Sequence, residues 1–574
     1  MKIINIMAQI TRHLAAAACT LALTLTLGGC VNDLVNNTEQ RAENKETKKT
    51  FNAKAFAGAF TSKALPKTKT EGKYKKHNEK WGVRFYWQND DYERLYVNMG
   101  GDKKWQRFQK MDTLNMEDDK LTSARFYLYQ GYQLNKETYP IWYSYYGING
   151  NDRYTNIPYS HYQATPNKFT NLYQLGDCGF ATAVDNGVWY EFTLQHATSY
   201  LTFMPYAGEG KSKAALQKCL LTHITFTSDE ANYGQFYFDE QGQVDKSRWP
   251  SYTRQTRIIY CVDGSNATGF SVPGSKEEAK NNAAIMVMAP GTYHNVEITY
   301  TLYDPVVQTT GVFKRQIPQI TLTGGKNKEV FTELVADDYT HKFGLYHMWG
   351  ASLHYWQGAE SNAHHNWQSG GVPAAGNSPS MGGRYFSTYN AAGVSNIAPM
   401  GSIDRNVPSA NFMSYYVRYG DPRWDDSPFT YDGHLFTGRM WFKKRRYFAQ
   451  EAGYTLANMD QKMNDLNASG SDFRMRRGNV GGSVTKWEDV PKENRSHYFC
   501  VMPLGYYDPY GRLYMTSNYQ GRYWTSTSMY EKGYGPYWAY ALIFGPNYVY
   551  VAGYPEHGEH VKSNGYQQWP GEDE

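Results

Sequence analysis

From Trp81 to Leu334 the chain repeats one pattern: short stretches in which Thr, Tyr, Phe, Val and Ile alternate with polar residues, broken by Gly, Asn, Asp or Pro. Clear examples are "WYEFTLQHATSYLTFMPY" (Trp189 to Tyr206), "LTHITFTS" (Leu221 to Ser228), "GQFYFDEQGQV" (Gly234 to Val244) and "NVEITYTLYD" (Asn295 to Asp304). Alternation with period two sends successive side chains to opposite faces of a strand, whereas a helix needs apolar residues three and four apart. Turn chemistry about every ten residues then closes the strands into antiparallel hairpins, the signature of β-sandwiches. The expected fold is therefore multidomain and mainly β.

Composition agrees with that expectation. A chain of 574 residues exceeds what one hydrophobic core can serve, so roughly two to four domains are expected. Its 51 Tyr and 15 Trp suit half-buried β surfaces and recognition faces, because each ring carries a large contact area and a polar tip. The net charge of +5 is small for the length, which argues against nucleic acid as a partner.

At the N-terminus Lys2, Arg12 and His13 precede an apolar run from Leu14 to Leu27, too short for a spanning helix. It ends in Leu27-Gly28-Gly29-Cys30, which resembles the bacterial lipoprotein signal, so residues 1–30 are expected to direct export and Cys30 to carry the lipid. Acyl chains on Cys30 would hold the protein to the outer membrane by hydrophobic burial. Residues 31–80 are polar, with eleven lysines between Arg41 and Lys80, and are expected to form a disordered tether. The remaining cysteines, Cys178, Cys219, Cys261 and Cys500, are widely spaced and are expected to be buried free thiols.

The stretches "LQHATSYLTFMPY", "LTHITFTS" and "GQFYFDEQGQV" resemble the fimbrillin-type proteins of Bacteroidia, the subunits and accessory subunits of type V pili. That resemblance implies two transthyretin-like β-sandwiches, placed at 81–250 and 251–338. It also implies pilus subunits as partners, joined by strand exchange. From 339 to 574 the texture changes, and four segments in order resemble the Fibrobacter-succinogenes major paralogous domains. These are Phe343-Gly344 to Trp349, Val407-Pro408 with the helix after it, Met502-Pro503-Leu504-Gly505-Tyr506, and Tyr523-Trp524-Thr525-Ser526-Thr527. The resemblance implies a C-type-lectin-like α+β domain. Asn411-Phe412 departs from that family's Glu-Trp, and no Val-Arg-Cys closes the last strand. The helix itself is legible directly, since Phe412, Tyr415, Tyr416 and Tyr419 recur at helical spacing between Ser409 or Asn411 and Gly420.

Enzyme readings find little support. The formylglycine-generating chemistry of that fold needs a reactive cysteine pair or a cysteine-bound metal, and the C-terminal region has Cys500 alone. Calcium-lectin motifs are missing there as well; Asp421, Asp425 and Asp426 read as a solvated or helix-ending turn. "AHHNW" (Ala363 to Trp367) and "EHGEH" (Glu556 to His560) lack metal-protease spacing, so neither metal nor cofactor is expected. Trp524 reads as a core ring, its strand burying one face. Exposed rings in loop-rich stretches, Tyr355, Trp356, Trp367 and Tyr507, are the candidate ligand-binding residues, a stacking surface for a glycan or a surface protein. The functional expectation is a non-enzymatic cell-surface adhesin, the tip or accessory subunit of a type V pilus. A glycan-binding lipoprotein working beside a nutrient importer is the alternative.

Overall fold

The computed structural model describes residues 52 to 572, apart from residues 53, 170 and 253 and the segments 60–70, 78–79, 101–103, 118–119, 262–268, 341–344, 359–378, 385–397, 515–519, 530–537 and 554–560. Cys30, Trp367 and both histidine motifs lie outside the described residues. Strands dominate the rest, in several sheets. Among the described residues no helix is long and apolar enough to cross a membrane.

A nine-stranded sheet comes first. Its order runs Trp105–Arg107, Leu95–Asn98, Thr138–Ser144, Cys178–Asp185, Tyr190–Thr193, Phe56–Ala59, Lys120–Tyr127, Lys110–Glu117, with Gln195–His196 paired to Cys178–Asp185. Its core is built from rings, among them Phe56, Phe108, Phe126, Tyr139, Tyr190 and Phe192. Beside it, Glu71–His77 pairs with Lys80–Tyr86 and with Lys168–Phe169. Tyr74 is buried in that small sheet and its hydroxyl donates to Glu329 at 2.6 Å. The expected tether over 31–80 is thus corrected at Phe56–Ala59 and Glu71–His77, where single apolar groups among the lysines anchor strands.

The second core lies between two further sheets. One is Ser160–Tyr162, Gln255–Tyr260, Leu220–Ser228, Gly291–Asp304 and Thr309–Leu322; the other is Ala284–Met288, Ser199–Ala207 and Asn327–Leu334. Leu201, Phe203, Ile224, Phe226, Met286, Ile298, Tyr300 and Val330 meet between them, which is the sandwich that alternation demands. Strand pairing here crosses residue 250, since Leu220–Ser228 pairs with Gly291–Asp304 and Ser199–Ala207 with Asn327–Leu334. The boundary expected at 250 therefore falls inside one sheet system.

Beyond residue 338 two sheets flank the helix Ala410–Tyr419. Ser409 Oγ accepts from the Phe412 N–H at 3.2 Å and Gly420 closes the last turn, as the sequence predicts. Asn411 is buried: its amide donates to Asp472 Oδ1 at 2.9 Å and its carbonyl oxygen accepts from Phe473 N at 2.9 Å. The helices Arg445–Glu451 and Leu456–Asp465 follow. The strand Gly521–Met529 is buried on both faces, Tyr523 entering the core around the aromatic helix and Trp524 a second cluster with Trp349 and Tyr566. Trp524 stacks on Tyr566 with centroids 4.0 Å apart and donates from Nε1 to the His347 carbonyl at 3.0 Å.

Candidate functional site

The strand Phe56–Ala59 holds an unusual position. It pairs in parallel with Tyr190–Thr193 on one side and antiparallel with Lys120–Tyr127 on the other, so both of its edges are occupied. Phe56 is fully buried, stacked on Tyr190 at 4.9 Å and set edge-on to Phe108 at 5.1 Å. At Gly58 an added Cβ would lie 2.6 Å from Phe192 Cζ and 3.0 Å from Phe126 Cε2, so the "FAGA" run presents one large ring and then only small groups. A slot between two strands accepts that shape and few others.

Contacts at the start of the strand fix its register. The Asn52 N–H donates to the Leu128 carbonyl at 2.8 Å and the Tyr190 N–H to the Ala55 carbonyl at 3.0 Å. Lys54 Nζ pairs with Asp185 Oδ2 at 2.5 Å and lies 4.7 Å from the centre of the Tyr190 ring. The hydrogen bond from Lys54 holds the Asp185 carboxyl below the usual range. Burial pushes the Tyr190 hydroxyl up to about 12, and it donates to the Lys136 carbonyl at 2.9 Å. Such an arrangement holds a peptide strand by main-chain bonds and one anchor ring. It contains no nucleophile and base pair.

The four candidate rings divide differently from the expectation. Tyr355, Trp356 and Tyr507 are packed together, with Tyr355 stacked on Tyr507 at 5.1 Å and its hydroxyl donating to the Asp508 carbonyl at 2.8 Å. Their exposures of 0%, 7% and 3% correct the reading of an open stacking surface. The physical reason is the scarcity of aliphatic residues there: with Met348, Ala351 and Leu513 as the other buried apolar groups of the cluster, the rings themselves must fill it. Trp367 and Cys30, the expected lipid attachment point, lie outside the described residues.

The acidic cluster is corrected at Asp425. Asp425 is buried and accepts from Arg439 Nε at 3.0 Å and Trp441 Nε1 at 3.1 Å, while Asp426 accepts from Trp424 Nε1 at 2.6 Å and Asp421 from the Tyr498 hydroxyl at 2.6 Å. Arg439 next to it holds the Asp425 carboxyl below its ordinary range despite burial. Asp425 thus fastens the strand Arg423–Tyr431 from its buried side, whereas Asp421 follows Gly420 at the helix end and Asp426 is exposed, in keeping with the expected turn. Cys178, Cys219, Cys261 and Cys500 are free and buried, as expected, and burial raises the first three thiols. Among the described residues no group of three His, Cys, Asp or Glu is placed to hold a metal ion.

The sequence missed the strand Phe56–Ala59. Its signal was the short "AFAGAF" inside the lysine-rich segment, an apolar cluster too brief to outweigh the surrounding charge.

No family model and no curated protein matches the chain. Among solved structures it is similar to a protein from Bacteroides ovatus assigned provisionally to cell adhesion, at 12% identity and a TM-score of 0.28, over 50% of this chain and 94% of that one. A protein from Bacteroides uniformis with the same provisional assignment gives 11% identity and a TM-score of 0.29, over 49% and 93% of the two chains. A fimbrial protein from Bacteroides ovatus gives 10% identity and a TM-score of 0.17, over 90% and 98%.

Proposed function

We propose that this chain is a non-enzymatic cell-surface adhesin that joins a type V pilus as a tip or accessory subunit, exported with a lipid on Cys30. The observation that carries the reading is the doubly paired strand Phe56–Ala59. It precedes every other described strand, and the segment 60–70 separates it from the next, so a cut there would free it without severing another described element. Its departure would leave two unpaired strand edges and a hole where Phe56 sat, a site for an extended segment from a neighbouring subunit. Strand exchange would then follow from the same hydrogen bonds that now close the sheet.

The C-terminal region supports a receiving role. The strand Tyr566–Gln567 pairs with Tyr346–His347 and with Tyr523, and Trp569 is buried among Tyr416, Phe499 and Tyr523. That segment is already committed to its own sheet, so the reading assigns it no part in completing a neighbour. The domain division that goes with this proposal is a strand-accepting first sandwich, a second sandwich and a C-type-lectin-like recognition region.

The test places a specific protease site within residues 60–70 and cuts it. Loss of the freed strand should lower the melting temperature, and a synthetic peptide of residues 52–60 should restore it. Immunogold labelling of cells should find the protein on fibres. Labelling confined to the cell envelope, with no rescue by the peptide, would overturn the reading in favour of an anchored lipoprotein.

A further inference from the structure

The hairpin formed by Cys178–Asp185 and the strand after it does not stay zipped. Its ladder pairs Val184 with Glu191 and Asp185 with Tyr190, and resumes only with Phe180 opposite Gln195 and Gly179 opposite His196. Residues 181–183 and 192–194 between those pairs have no ladder partner in each other, so the two strands splay apart over three residues each. Both strands are held on their outer edges, by Thr138–Ser144 and by Phe56–Ala59. The opening is therefore fixed in the sheet.

An open groove of about 610 Å³ lies over this opening on the outer face. Alternation sends Phe180, Thr182 and Val184 to that face from one strand and Gln195, Thr193 and Glu191 from the other, in two facing rows. The tip of the turn at 239–242 supplies a wall through Glu240 and Gln241. Gly242 lets that turn close down: its φ is +71°, and a Cβ there would lie 2.1 Å from the Phe180 ring. The volume is that of a small-molecule site, which runs roughly from 300 to 1,000 Å³.

We infer that this groove binds a neutral saccharide of one or two rings. Its lining combines one half-buried aromatic ring with hydroxyls, side-chain amides and carboxylates, the groups that pair with sugar hydroxyls while a ring packs on the C–H face. No Lys, Arg or His is among the lining residues, which disfavours phosphorylated, sulfated or sialylated ligands. A purely apolar ligand would strand Thr182, Gln195 and Glu191 without partners. Glu191 already receives a long contact from Asn186 Nδ2 at 3.4 Å and keeps its other oxygen for a ligand hydroxyl. The inference gives a ligand class to the adhesin reading, and it stands or falls on the isolated protein whether or not the chain enters a fibre.

Saturation-transfer NMR on the soluble mature chain tests it, with the methyl glycosides of glucose, galactose, mannose and N-acetylglucosamine as probes. Sialyllactose and a lysine-rich peptide serve as the anionic and cationic probes. Transfer to ring protons of at least one neutral glycoside is expected, with affinity falling roughly tenfold or more in Glu191→Ala and in Thr182→Lys. Both positions are exposed, so the melting temperature should hold, and Gln195→Ala provides a third, smaller change. Transfer to none of the neutral glycosides would overturn the proposal. So would neutral-sugar binding that all three variants leave intact, or binding of the lysine-rich peptide alone.

Discussion

His161 shows what burial does to a single residue in this chain. Its Nε2–H donates to the Ile285 carbonyl at 3.0 Å, its Nδ1 has no hydrogen-bond partner among the described residues, and the Arg257 guanidinium lies close by. Gln163 and Arg257 meet the same strand, at Ile285 and Val287, so three side chains line the edge of Ala284–Met288 in place of another strand. Burial first, and Arg257 second, lower the His161 pKa from 6.5 to about 3. The unfolded chain therefore takes up this proton before the folded one, and the stability is present above pH 6.5 and lost as pH falls toward 3. Between pH 7 and pH 4 the loss should be about 3 kcal/mol, read by urea unfolding at the two pH values, and His161→Gln should flatten that difference. An equal slope in the variant would place the acid sensitivity elsewhere, for example at His196, which burial also lowers. The aromatic residues invite a parallel test. Trp524→Ala and Trp356→Ala should each destabilise by about 3 to 5 kcal/mol, because both rings are packed, whereas Tyr510→Ala, at 65% exposure, should change the melting temperature little.

At the scale of elements, legibility in the sequence followed how much of an element's energy is local. The long strand Gly291–Asp304 carries its own alternation, and the helix Ala410–Tyr419 its own cap, spacing and stop, so both were readable. Phe56–Ala59 is four residues long, three of them small, and what holds it comes from two strands far along the chain. The splayed hairpin behind the proposed saccharide groove was equally hidden, since "ATAVDNGVWYEFTL" reads as an ordinary two-stranded turn. Whether a ring such as Tyr355 faces water or Tyr507 is decided by tertiary contact, which residue type alone does not specify. The slot can be tested at this scale through Gly58. Gly58→Val should drive a side chain into Phe192 and Phe126 and cost about 1 to 3 kcal/mol. Hydrogen exchange should then show lost protection at Tyr190–Thr193 and around Ala124, the two partners of the strand. Protection that persists there would mean the slot closes without its strand.

For the molecule beyond residue 56 the telling contact is between the second sandwich and the C-terminal region. The turn that joins Arg423–Tyr431 to His434–Lys443 reaches the end of the sandwich, and Leu435 is counted in that sandwich's core and is fully buried. Asp304, at the end of its long strand, holds the turn: Oδ2 accepts from Leu435 N at 3.0 Å and from His434 Nδ1 at 3.1 Å, while Oδ1 accepts from Val306 N at 2.9 Å. Thr309 Oγ1 donates to the Leu435 carbonyl from the neighbouring strand. A C-terminal region joined only by a linker would swing freely, but this one is fastened by a buried carboxylate and an inserted leucine. Asp304→Ala takes the acceptor from the Leu435 N–H and His434 Nδ1 at the joint, and from the Val306 and Val307 N–H groups of its own turn, and should cost about 2 to 3 kcal/mol. Because that cost falls on the joint, thermal unfolding followed by calorimetry should change from one transition toward two, the C-terminal region separating from the sandwich. Leu435→Asp should do the same more strongly by placing a charge in the sandwich core. A single transition kept by both variants would show that the two regions unfold together for another reason, and the joint would then lie in the contacts of Thr309–Leu322 with Arg423–Tyr431 and His434–Lys443.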